Sequence, residues 1–468
     1  MNASTMRIAI VGAGPAGLYS ASHLLENRDL VVEIDFIERL PTPWGLVRTG
    51  VAPDHSEKKK IVDRLFDFIL RDERVRFFGN LKVGTDVQVA ELEQWYDAVI
   101  FAHGAGSHNA IGIPGEDLHG VWGARDFVQF YNAHPDQAGL AFDLSQPRAV
   151  IVGNGNVAID IARILTTDVE VLAKTDIADS ALDALRTSQI REVVIMARRN
   201  LEFAAFNNPE LEEFAHSEGV DFAAHGAIEP PNLGSDRFEM WRAQRRFEIM
   251  SNLLERPRNP KNKRIVFHFL ATPVALHGRG RVERLDYLSN RVVQRDGAIS
   301  YEQAHEVQSL ECGLVFSACG YRGAVLEGLP FDSASGVVPN RAGRVLDRNT
   351  DRAGTYVVGW IKRGCRGIIG SNRRCASETV DSLLADQKAG LLGGATLNRQ
   401  DVEVALASRN PAIVRFEHWR AIDRAERMAG KRSGRPRVKL ADVDALLEAA
   451  FAKQQGEAGA GPIELGAP

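Results

Sequence analysis

Cysteine is scarce in this sequence, and the spacing of the few cysteines excludes several kinds of redox centre. The 468-residue chain has cysteine only at Cys312, Cys319, Cys365 and Cys375. These residues form no CxxC pair and have no metal-ligand or iron–sulfur spacing. The sequence therefore argues against a dithiol reductase and a built-in iron–sulfur centre, and no metal site is expected. Such sparing use of cysteine favours a reduced, cytoplasmic protein.

Long apolar runs and a strong excess of one charge are missing as well. No run reaches the roughly 18 apolar residues that a membrane-spanning helix needs, and Met1 to Met6 has no apolar signal region. The chain has 57 Lys and Arg against 61 Asp and Glu, a formal net charge of -4. No global basic field would therefore recruit nucleic acid. We expect a soluble protein with no membrane span and no nucleic-acid partner.

The sequence does contain two glycine-rich turns, each between an apolar strand and a helical pattern. The first turn follows Ile8 to Val11 and reads Gly12-Ala13-Gly14-Pro15-Ala16-Gly17. In a dinucleotide fold, Gly12 makes the sharp turn, Gly14 lets the backbone approach a pyrophosphate, and Gly17 lets the helix lie close to the strand. The N-terminus of the helix would then face the phosphates.

An acidic residue and a long loop follow the first turn. Glu38 stands 21 residues after Gly17, where such folds place the carboxylate that binds the ribose hydroxyls. Residues 41–55 are rich in proline and glycine, so we predict an ordered loop without a regular element. We expect this loop to lie along the rest of a bound dinucleotide, because it follows the ribose-binding acid.

The second turn follows the apolar strand Ala149 to Val152 and reads Gly153-Asn154-Gly155-Asn156-Val157-Ala158. The next strand, Val193 to Met196, runs into Arg198 and Arg199, where the first motif has its acid. Two guanidinium groups can pair with a 2′-phosphate that a carboxylate would repel. This site should therefore prefer NADP over NAD, although a solvated arginine pair at a strand end is the alternative.

Apolar periodicity places the helices near these motifs. The predicted helices are Ser56–Leu70, Val157–Leu165, Ser180–Ser188 and one that starts at about Ser377. The tail from about residue 455 is rich in Gly, Ala and Pro and is predicted to be disordered.

Residues 242–264 form a basic stretch. The basic residues are Arg242, Arg245, Arg246, Arg256, Arg258, Lys261, Lys263 and Arg264, and the acidic ones are Glu248 and Glu255. Such a stretch is either a solvated surface or a face that docks an acidic partner, and composition alone does not separate the two.

The chain resembles the adrenodoxin reductase family of ferredoxin-NADP reductases over nearly its whole length. The most specific match is Gly45-Leu46-Val47-Arg48 together with Gly50-Val51-Ala52-Pro53-Asp54-His55. Further matches are Lys174-Thr175-Asp176-Ile177, Gly359-Trp360-Ile361-Lys362-Arg363-Gly364 and Gly434-Arg435-Pro436-Arg437-Val438. The resemblance implies an α/β protein with two Rossmann-like dinucleotide-binding domains, like the glutathione-reductase-type flavoproteins. It implies an FAD domain from residues 1–106 and 324–468, with an NADP domain at 107–323 inserted into it.

The resemblance also implies cofactor contacts, residue by residue. The FAD contacts would come from Gly12, Gly14, Ala16, Gly17, Glu38, Gly45, Leu46, Val83, Trp360, Gly367, Ile368 and Ile369. The NADP(H) contacts would come from Gly153, Asn154, Gly155, Asn156, Arg198, Arg199, Glu210 and Gly367.

His55 and Asp160 match family positions near the reacting rings, and Glu210, one of the implied NADP contacts, is a third catalytic candidate. Hydride transfer needs aligned donor and acceptor rather than an obligatory protein base, so these side chains could orient water, an amide or the flavin. A loop histidine that caps the following helix is the alternative for His55. Asn208 followed by Pro209 predicts a helix start, with Glu210 in its first turn.

Gly364-Cys365-Arg366-Gly367 departs from the family pattern and would place a bulky cation beside the reacting rings. The implied activity carries electrons from NADPH through FAD to an acidic ferredoxin, with Arg242, Arg245 and Arg246 as docking residues. The alternatives are a flavin monooxygenase, an electron-input subunit like the glutamate synthase small subunit, and a redox-sensing module that holds nucleotides without turnover, which the Cys365-Arg366 departure keeps open. The glutamate synthase alternative expects an N-terminal cysteine-rich segment, which this sequence lacks.

Overall fold

The structure is a computed structural model that describes residues 5–226, 228–231, 236–295 and 298–452. The tail predicted to be disordered lies outside the described residues.

The strands and helices are numbered in chain order. The strands are β1 (Met6–Val11), β2 (Val32–Ile37), β3 (Val75–Phe78), β4 (Ala98–Phe101), β5 (Ser107–His108), β6 (Val121–Gly123), β7 (Arg148–Val152), β8 (Glu192–Met196), β9 (Val220–His225), β10 (Lys263–His268), β11 (Ala271–His277), β12 (Arg284–Arg295), β13 (Ala298–Glu311), β14 (Leu314–Ser317), β15 (Tyr321–Arg322), β16 (Asn340–Arg341), β17 (Arg344–Asp347) and β18 (Thr350–Val357). The α-helices are α1 (Pro15–Glu26), α2 (Leu46–Thr49), α3 (Ser56–Leu70), α4 (Val89–Trp95), α5 (Ala124–Tyr131), α6 (Asn156–Thr166), α7 (Val169–Leu172), α8 (Asp179–Arg186), α9 (Asn208–Glu212), α10 (Arg237–Leu254), α11 (Trp360–Arg363), α12 (Ser371–Lys388), α13 (Arg399–Arg409), α14 (Phe416–Arg432) and α15 (Val443–Phe451).

The first sheet draws its strands from both ends of the chain, in the order β16-β17-β18-β4-β1-β2-β3. Strands β18, β4, β1, β2 and β3 are parallel. Ile8 and Ile10 of β1 pack in the core with α1 and α12, whereas Ala9 and Val11 pack in the core with α4 and α13. Successive side chains of a strand point to opposite faces, so this strand is buried on both sides.

The second sheet has the order β6-β14-β7-β8-β10-β9, and all its pairs are parallel. Ala149 and Ile151 of β7 pack with the helices of one face. Val150 and Val152 pack on the opposite face with the three-stranded antiparallel sheet β11-β12-β13. The expected α/β fold with two dinucleotide-binding sheets is confirmed.

A short antiparallel ribbon of β5 and β15 lies where the chain passes from the first sheet to the second and back. Tyr321 pairs with His108, and Arg322 pairs with Ser107. Both passages of the chain between the two sheets therefore run side by side.

The predictions of helices and loops hold in most places and are wrong in two. Helix α3 has the predicted bounds, and α6 and α8 lie within two residues of theirs. Helix α12 begins at Ser371 rather than near Ser377. The loop at 41–55 does contain a regular element, the single turn α2, which uses Gly45 and Gly50 at its ends. Helix α9 begins at Asn208, and Glu210 lies in its first turn, both as predicted.

Candidate active site between the two glycine turns

The parallel strands of each sheet end level with one another. Each glycine turn therefore lies at the carboxyl edge of its own sheet. In the first sheet, Val11 pairs with both Ile37 and Phe101. In the second sheet, Val152 pairs with Met196 and Ser317. Open α/β sheets bind ligands at the carboxyl ends of their strands, where the strand order reverses. Both glycine turns lie at such a place.

The first glycine turn leaves no room for side chains at two of its three glycines. Gly12 has φ +105°, and a Cβ atom there would lie 2.7 Å from the carbonyl oxygen of Ala102. A Cβ atom at Gly17 would lie 2.3 Å from the carbonyl oxygen of Gly12. At Gly14 the nearest atom would be the Cα of Gly45, at 3.8 Å, which is ordinary van der Waals contact. The protein itself therefore leaves open space at Gly14, where a ligand could approach the backbone closely.

Glu38 lies directly beneath this turn. Its carboxylate accepts hydrogen bonds from the backbone N–H of Ala13, at 2.9 Å, and of Leu40, at 3.0 Å. Burial raises the pKa of Glu38, although the two amides and Arg39 act in the opposite direction. Each carboxylate oxygen can accept more than one hydrogen bond, so the group can still accept from a ribose.

The loop after Glu38 folds back over the glycine turn. The N–H of Trp44 donates to the carbonyl of Ala13 at 2.7 Å, and Gly45 has φ +49°. The next residue, Leu46, begins α2 and is half-buried. Trp44 is buried against Trp419, and its indole N–H has no hydrogen-bond partner among the described residues. The loop therefore lines the same edge of the sheet as the turn.

A second group of residues from the carboxyl part of the chain lies against the start of α1. Gly359 has φ +77°, and a Cβ atom there would lie 2.6 Å from that of Ala16. Trp360 follows and lies 5.6 Å from Tyr321, measured between ring centroids. Val83 is buried in the apolar cluster on one side of the first sheet. The segment Gly367, Ile368 and Ile369 is mostly exposed, and Gly367 has φ +87°.

Cys365 and Arg366, where the sequence departs from the family pattern, lie between α11 and α12. Cys365 is half-buried, and burial raises the pKa of its thiol to about 12. Arg366 is exposed, and its carbonyl accepts a hydrogen bond from Arg363. A thiol with this pKa stays protonated near neutral pH, which argues against a redox-sensing role.

The second glycine turn repeats the packing of the first. Gly153 has φ +124°, and a Cβ atom there would lie 2.4 Å from the carbonyl oxygen of Ala318. A Cβ atom at Gly155 would meet no atom within 4 Å. The side-chain N–H2 of Asn154 is buried without a hydrogen-bond partner among the described residues. Arg198 and Arg199 are exposed just beyond the end of β8. An orphaned donor and two exposed guanidinium groups suit an anionic, oxygen-rich ligand.

Asn156 connects this turn to α9. Its side-chain oxygen accepts a hydrogen bond from the N–H of Asn207 at 2.8 Å. This contact holds the first turn of α9, and with it Glu210, against the start of α6.

His55, Asp160 and Glu210 come together between the two sheets. Each offers a nitrogen or oxygen atom within 4.8 Å of those of the other two. The Nε2 atom of His55 lies 3.8 Å from Glu210 and 2.5 Å from Glu213. His55 occupies the N-cap position of α3, but its side chain makes no capping hydrogen bond. The capping alternative for its side chain is therefore wrong.

Arg163 is the centre of this cluster, and sequence reasoning missed it. It donates to both oxygens of Asp54, to Asp160 at 2.7 Å, and it lies 3.1 Å from His55 Nε2. The only signal in the sequence is its position one turn after Asp160 on the same helix. The atoms of His55, Asp160 and Glu210 lie close enough to ligate a metal ion, but the guanidinium group already supplies a cation there.

Comparisons with known proteins agree with this architecture. The sequence family described as pyridine nucleotide-disulphide oxidoreductase matches residues 6–229. NADPH-ferredoxin reductase FprA of Mycobacterium tuberculosis (strain ATCC 25618 / H37Rv) is 45% identical over 94% of this chain and 98% of its own length. NADPH:adrenodoxin oxidoreductase, mitochondrial, of Salvelinus fontinalis is 37% identical over 96% of this chain and 92% of its own length. This chain belongs to the adrenodoxin reductase family of ferredoxin-NADP reductases.

A solved structure of the same family has the same fold. "Mycobacterium tuberculosis FprA in complex with NADPH" superposes with a TM-score of 0.90 at 43% identity, and the match covers 96% of this chain and 100% of that one. The family resemblance read from the sequence is confirmed.

Two carboxyl groups near His55, those of Asp160 and Glu213, have pKa values shifted in opposite directions. Burial raises the pKa of Asp160 to about 6, although Arg163 and His55 lower it in part. Burial would also raise the pKa of Glu213, but the hydrogen bond from His55 together with Arg163 and Lys58 lowers it to about 2. Asp160 therefore holds a proton below about pH 6, whereas Glu213 stays ionised.

The basic stretch at 242–264 is not one surface in this family member. Arg246 is 4% exposed and donates to the carbonyls of Leu201, at 3.2 Å, and Glu202, at 2.8 Å. Burial lowers its pKa to about 10. The expectation that Arg246 docks a partner is therefore wrong, because its guanidinium group is used inside the protein.

Four other arginines of the stretch are also engaged. Arg242 pairs with Glu239, and Arg245 pairs with Glu212 at 2.6 Å and with Glu248 at 3.6 Å. Arg256 donates to two backbone carbonyls, and Arg264 pairs with Glu192.

Among the described residues, no helix is long and apolar enough to cross a membrane.

Proposed function

We propose that this chain transfers electrons from NADPH, through a bound FAD, to a ferredoxin-type iron–sulfur protein. The observation that carries the proposal is the pair of glycine turns at the carboxyl edges of two parallel sheets, with the His55, Asp160 and Arg163 cluster between them. Bound FAD would accept two electrons together from NADPH and pass them singly to the iron–sulfur protein.

FAD is assigned to the first turn. Gly14 and Gly45 would let the pyrophosphate approach the backbone, Gly12 and Gly17 would keep the turn and the helix close to the first sheet, and Glu38 would accept from the ribose hydroxyls. Further contacts would come from Ala16, Leu46, Val83, Trp360, Gly367, Ile368 and Ile369. The indole N–H of Trp44 and both ring nitrogens of His103 are buried without a hydrogen-bond partner among the described residues, which supports a ligand at this edge.

NADPH is assigned to the second turn. Gly153, Asn154, Gly155 and Asn156 would hold the pyrophosphate, while Arg198 and Arg199 would pair with the 2′-phosphate. Gly367 would contact the same nucleotide from the first-sheet side. The orphaned Asn154 donor and the exposure of both arginines support this assignment.

His55, Asp160 and Glu210 are assigned to the reacting end of the bound nicotinamide. Arg163 and Glu213 hold the His55 ring in one orientation. One carboxylate oxygen of Glu210 has no hydrogen-bond partner among the described residues, so it can accept from the nicotinamide amide. These side chains align the reacting groups and exclude water, which is what hydride transfer requires of the protein.

Docking of an acidic ferredoxin is assigned to Arg242 and Arg245 without Arg246. Both are exposed or half-exposed, and their pairs with glutamates at the surface are weak enough to open for a partner carboxylate.

The domain boundaries are proposed as residues 1–106 and 324–468 for FAD and 107–323 for NADP, with the β5–β15 ribbon at both crossings. The four free thiols support the cytoplasmic location.

The assay of choice is ferredoxin-dependent reduction of cytochrome c by the purified yellow protein. NADPH should support the reaction well and NADH poorly, and omission of ferredoxin should abolish most of it. A protein purified without flavin, or one whose rate does not depend on ferredoxin, would contradict the proposal.

A further inference from the structure

Asp176 is a buried carboxylate that receives two lysines from distant parts of the chain. Lys59 Nζ donates to its two oxygens at 2.9 and 3.0 Å, and Lys439 Nζ lies 3.1 Å from one of them. The three residues are 6 or 7% exposed. Lys439 also donates to the carbonyl of Arg48 and to the side-chain oxygen of Asn132, each at 3.0 Å.

The three residues belong to different parts of the fold. Asp176 lies between α7 and α8, beside the second sheet. Lys59 is on α3, which belongs to the first-sheet half, and Lys439 follows α14 near the carboxyl end of the described chain. This node of Lys59, Asp176 and Lys439 therefore ties both chain ends of the first-sheet half to the second-sheet half.

Arg435 strengthens the same contact. Its guanidinium group donates to the carbonyls of Thr175 and Ile177 and to the carboxylate of Asp179. The segments around residues 174–177 and 434–438 were both singled out in the sequence, yet neither lies in the two glycine turns or in the His55 cluster. Their shared role in the structure is this contact.

The charges of the node are strongly coupled. Burial alone would raise the pKa of Asp176, but Lys439 and Lys59 lower it below its usual value. Burial lowers the pKa of Lys439, with the nearby Lys59 and Arg48 acting in the same direction. Removal of the carboxylate would leave two buried ammonium groups without a counter-charge, which is costly.

Lys59 of the node lies one helical turn after His55 of the His55 cluster. The N–H of Lys59 donates to the carbonyl of His55 at 3.2 Å, so both residues share the first turn of α3. Other named links between the halves are ion pairs too, including Asp54 with Arg163 and the exposed pair of Arg39 with Asp136. Interfaces of this polar kind usually permit domain motion.

We propose that Asp176 is a positioning residue that locks the two halves at the separation needed for hydride transfer. Asp176 draws Lys59, and therefore the start of α3 with His55, toward the half that carries Asp160 and Arg163. Displacements of about 1 Å between reacting groups can reduce a rate by about a hundredfold. The inference rests on the proposed function, because the rate it concerns is the reduction of bound FAD by NADPH.

The test compares the full-length holoprotein with Asp176→Asn in anaerobic stopped-flow reduction by NADPH. We expect the limiting rate of flavin bleaching to fall at least tenfold, while the Kd for NADP+ changes less than threefold. Asp176→Glu should recover part of the rate. Hydrogen exchange should rise at residues 175–186 and 435–440, which reports loosening independently of turnover.

Asp136→Asn is the matched control, because it removes an exposed ion pair between the same halves. Its limiting rate should stay within about twofold of wild type. If Asp176→Asn does not fold, Lys59→Gln carries the test, since Lys439 still pairs with Asp176 there. A normal limiting rate in the folded variant would overturn the inference, and so would an equal loss of NADP+ affinity and rate.

The two proposals fail in different ways. Wild-type flavin that NADPH does not bleach would overturn the proposed function itself. Wild-type flavin that bleaches quickly, together with an equally fast Asp176→Asn variant, would overturn only the role of Asp176.

Discussion

The guanidinium group of Arg163 donates two hydrogen bonds to the carboxylate of Asp54 across the candidate active site, although 109 residues separate the two in the sequence. Asp54 ends the loop that covers the first glycine turn, and Arg163 is on the helix that starts at the second. The same guanidinium group also contacts Asp160 and His55. The geometry of the reacting region thus depends on one arginine.

Replacement of Arg163 by Met should therefore disable the site. The variant leaves Asp54, Asp160 and Glu213 close together without their shared cation, and breaking a buried ion pair costs about 3 to 5 kcal/mol. We expect at least a tenfold lower NADPH-dependent dye reduction and a lower thermal midpoint. Arg186→Met, which removes an exposed pair with Asp183, should change neither. Unchanged dye reduction by Arg163→Met would contradict this role.

Asp160→Asn should change the pH dependence of stability. The pKa of Asp160 is about 6 in the folded protein and 3.8 as the ordinary value, so between these pH values the folded state binds more protons than the unfolded state. Wild-type stability therefore falls as pH rises across this window, by up to about 3 kcal/mol from this group. Asn does not titrate, so the variant should gain on wild type between pH 4 and 7. Thermal midpoints that run parallel over this range would be inconsistent with a raised pKa.

Substitution of Arg198 and Arg199 by Gln should weaken the preference for NADP. Each lost charge-assisted hydrogen bond to a 2′-phosphate is worth about 1.5 to 3 kcal/mol. We expect the KM for NADPH to rise at least tenfold, with little change in the KM for NADH. Arg191→Gln is the control, because Arg191 is exposed just before β8 rather than after it. An equal loss with both nucleotides would point to damage of the strand end instead.

Arg245 and Arg246 should respond differently to replacement by Glu. Arg245 is exposed, so Arg245→Glu should weaken ferredoxin reduction severalfold and spare NADPH-dependent dye reduction. Arg246 is buried against the ring of Phe206, so Arg246→Glu should lower the thermal midpoint and affect both reactions. Steady-state assays with ferredoxin and with a small dye separate the two. Equal effects of Arg245→Glu on both acceptors would rule out docking through this residue.

Local patterns in the sequence were sufficient to predict the two glycine turns and the strands that lead into them. Gly12 and Gly153 are identifiable because each follows a short apolar strand and precedes a helix, and Glu38 and Arg199 follow the end of the next strand. The burial of Arg246 also had a signal. It lies three, four and seven residues before Ile249, Met250 and Leu253, on the buried face of α10.

Long-range ionic contacts could not be read in the same way. Arg163, Lys59 and Asp176 are ordinary charged residues in their local segments, and nothing in the sequence links Asp176 to Lys439. Their roles depend on how the two sheets are placed relative to each other. The start of α12 was missed for a different reason, because Ser371 to Arg374 is polar and gives no apolar period.

The measurement that tests the central claim most directly is anaerobic stopped-flow absorbance of the yellow protein mixed with NADPH or NADH, followed by ferredoxin. The account predicts rapid flavin bleaching by NADPH, much slower bleaching by NADH, and return of the oxidised flavin absorbance when ferredoxin is added. A protein that carries no flavin, or one whose flavin stays oxidised in the presence of NADPH, would contradict it.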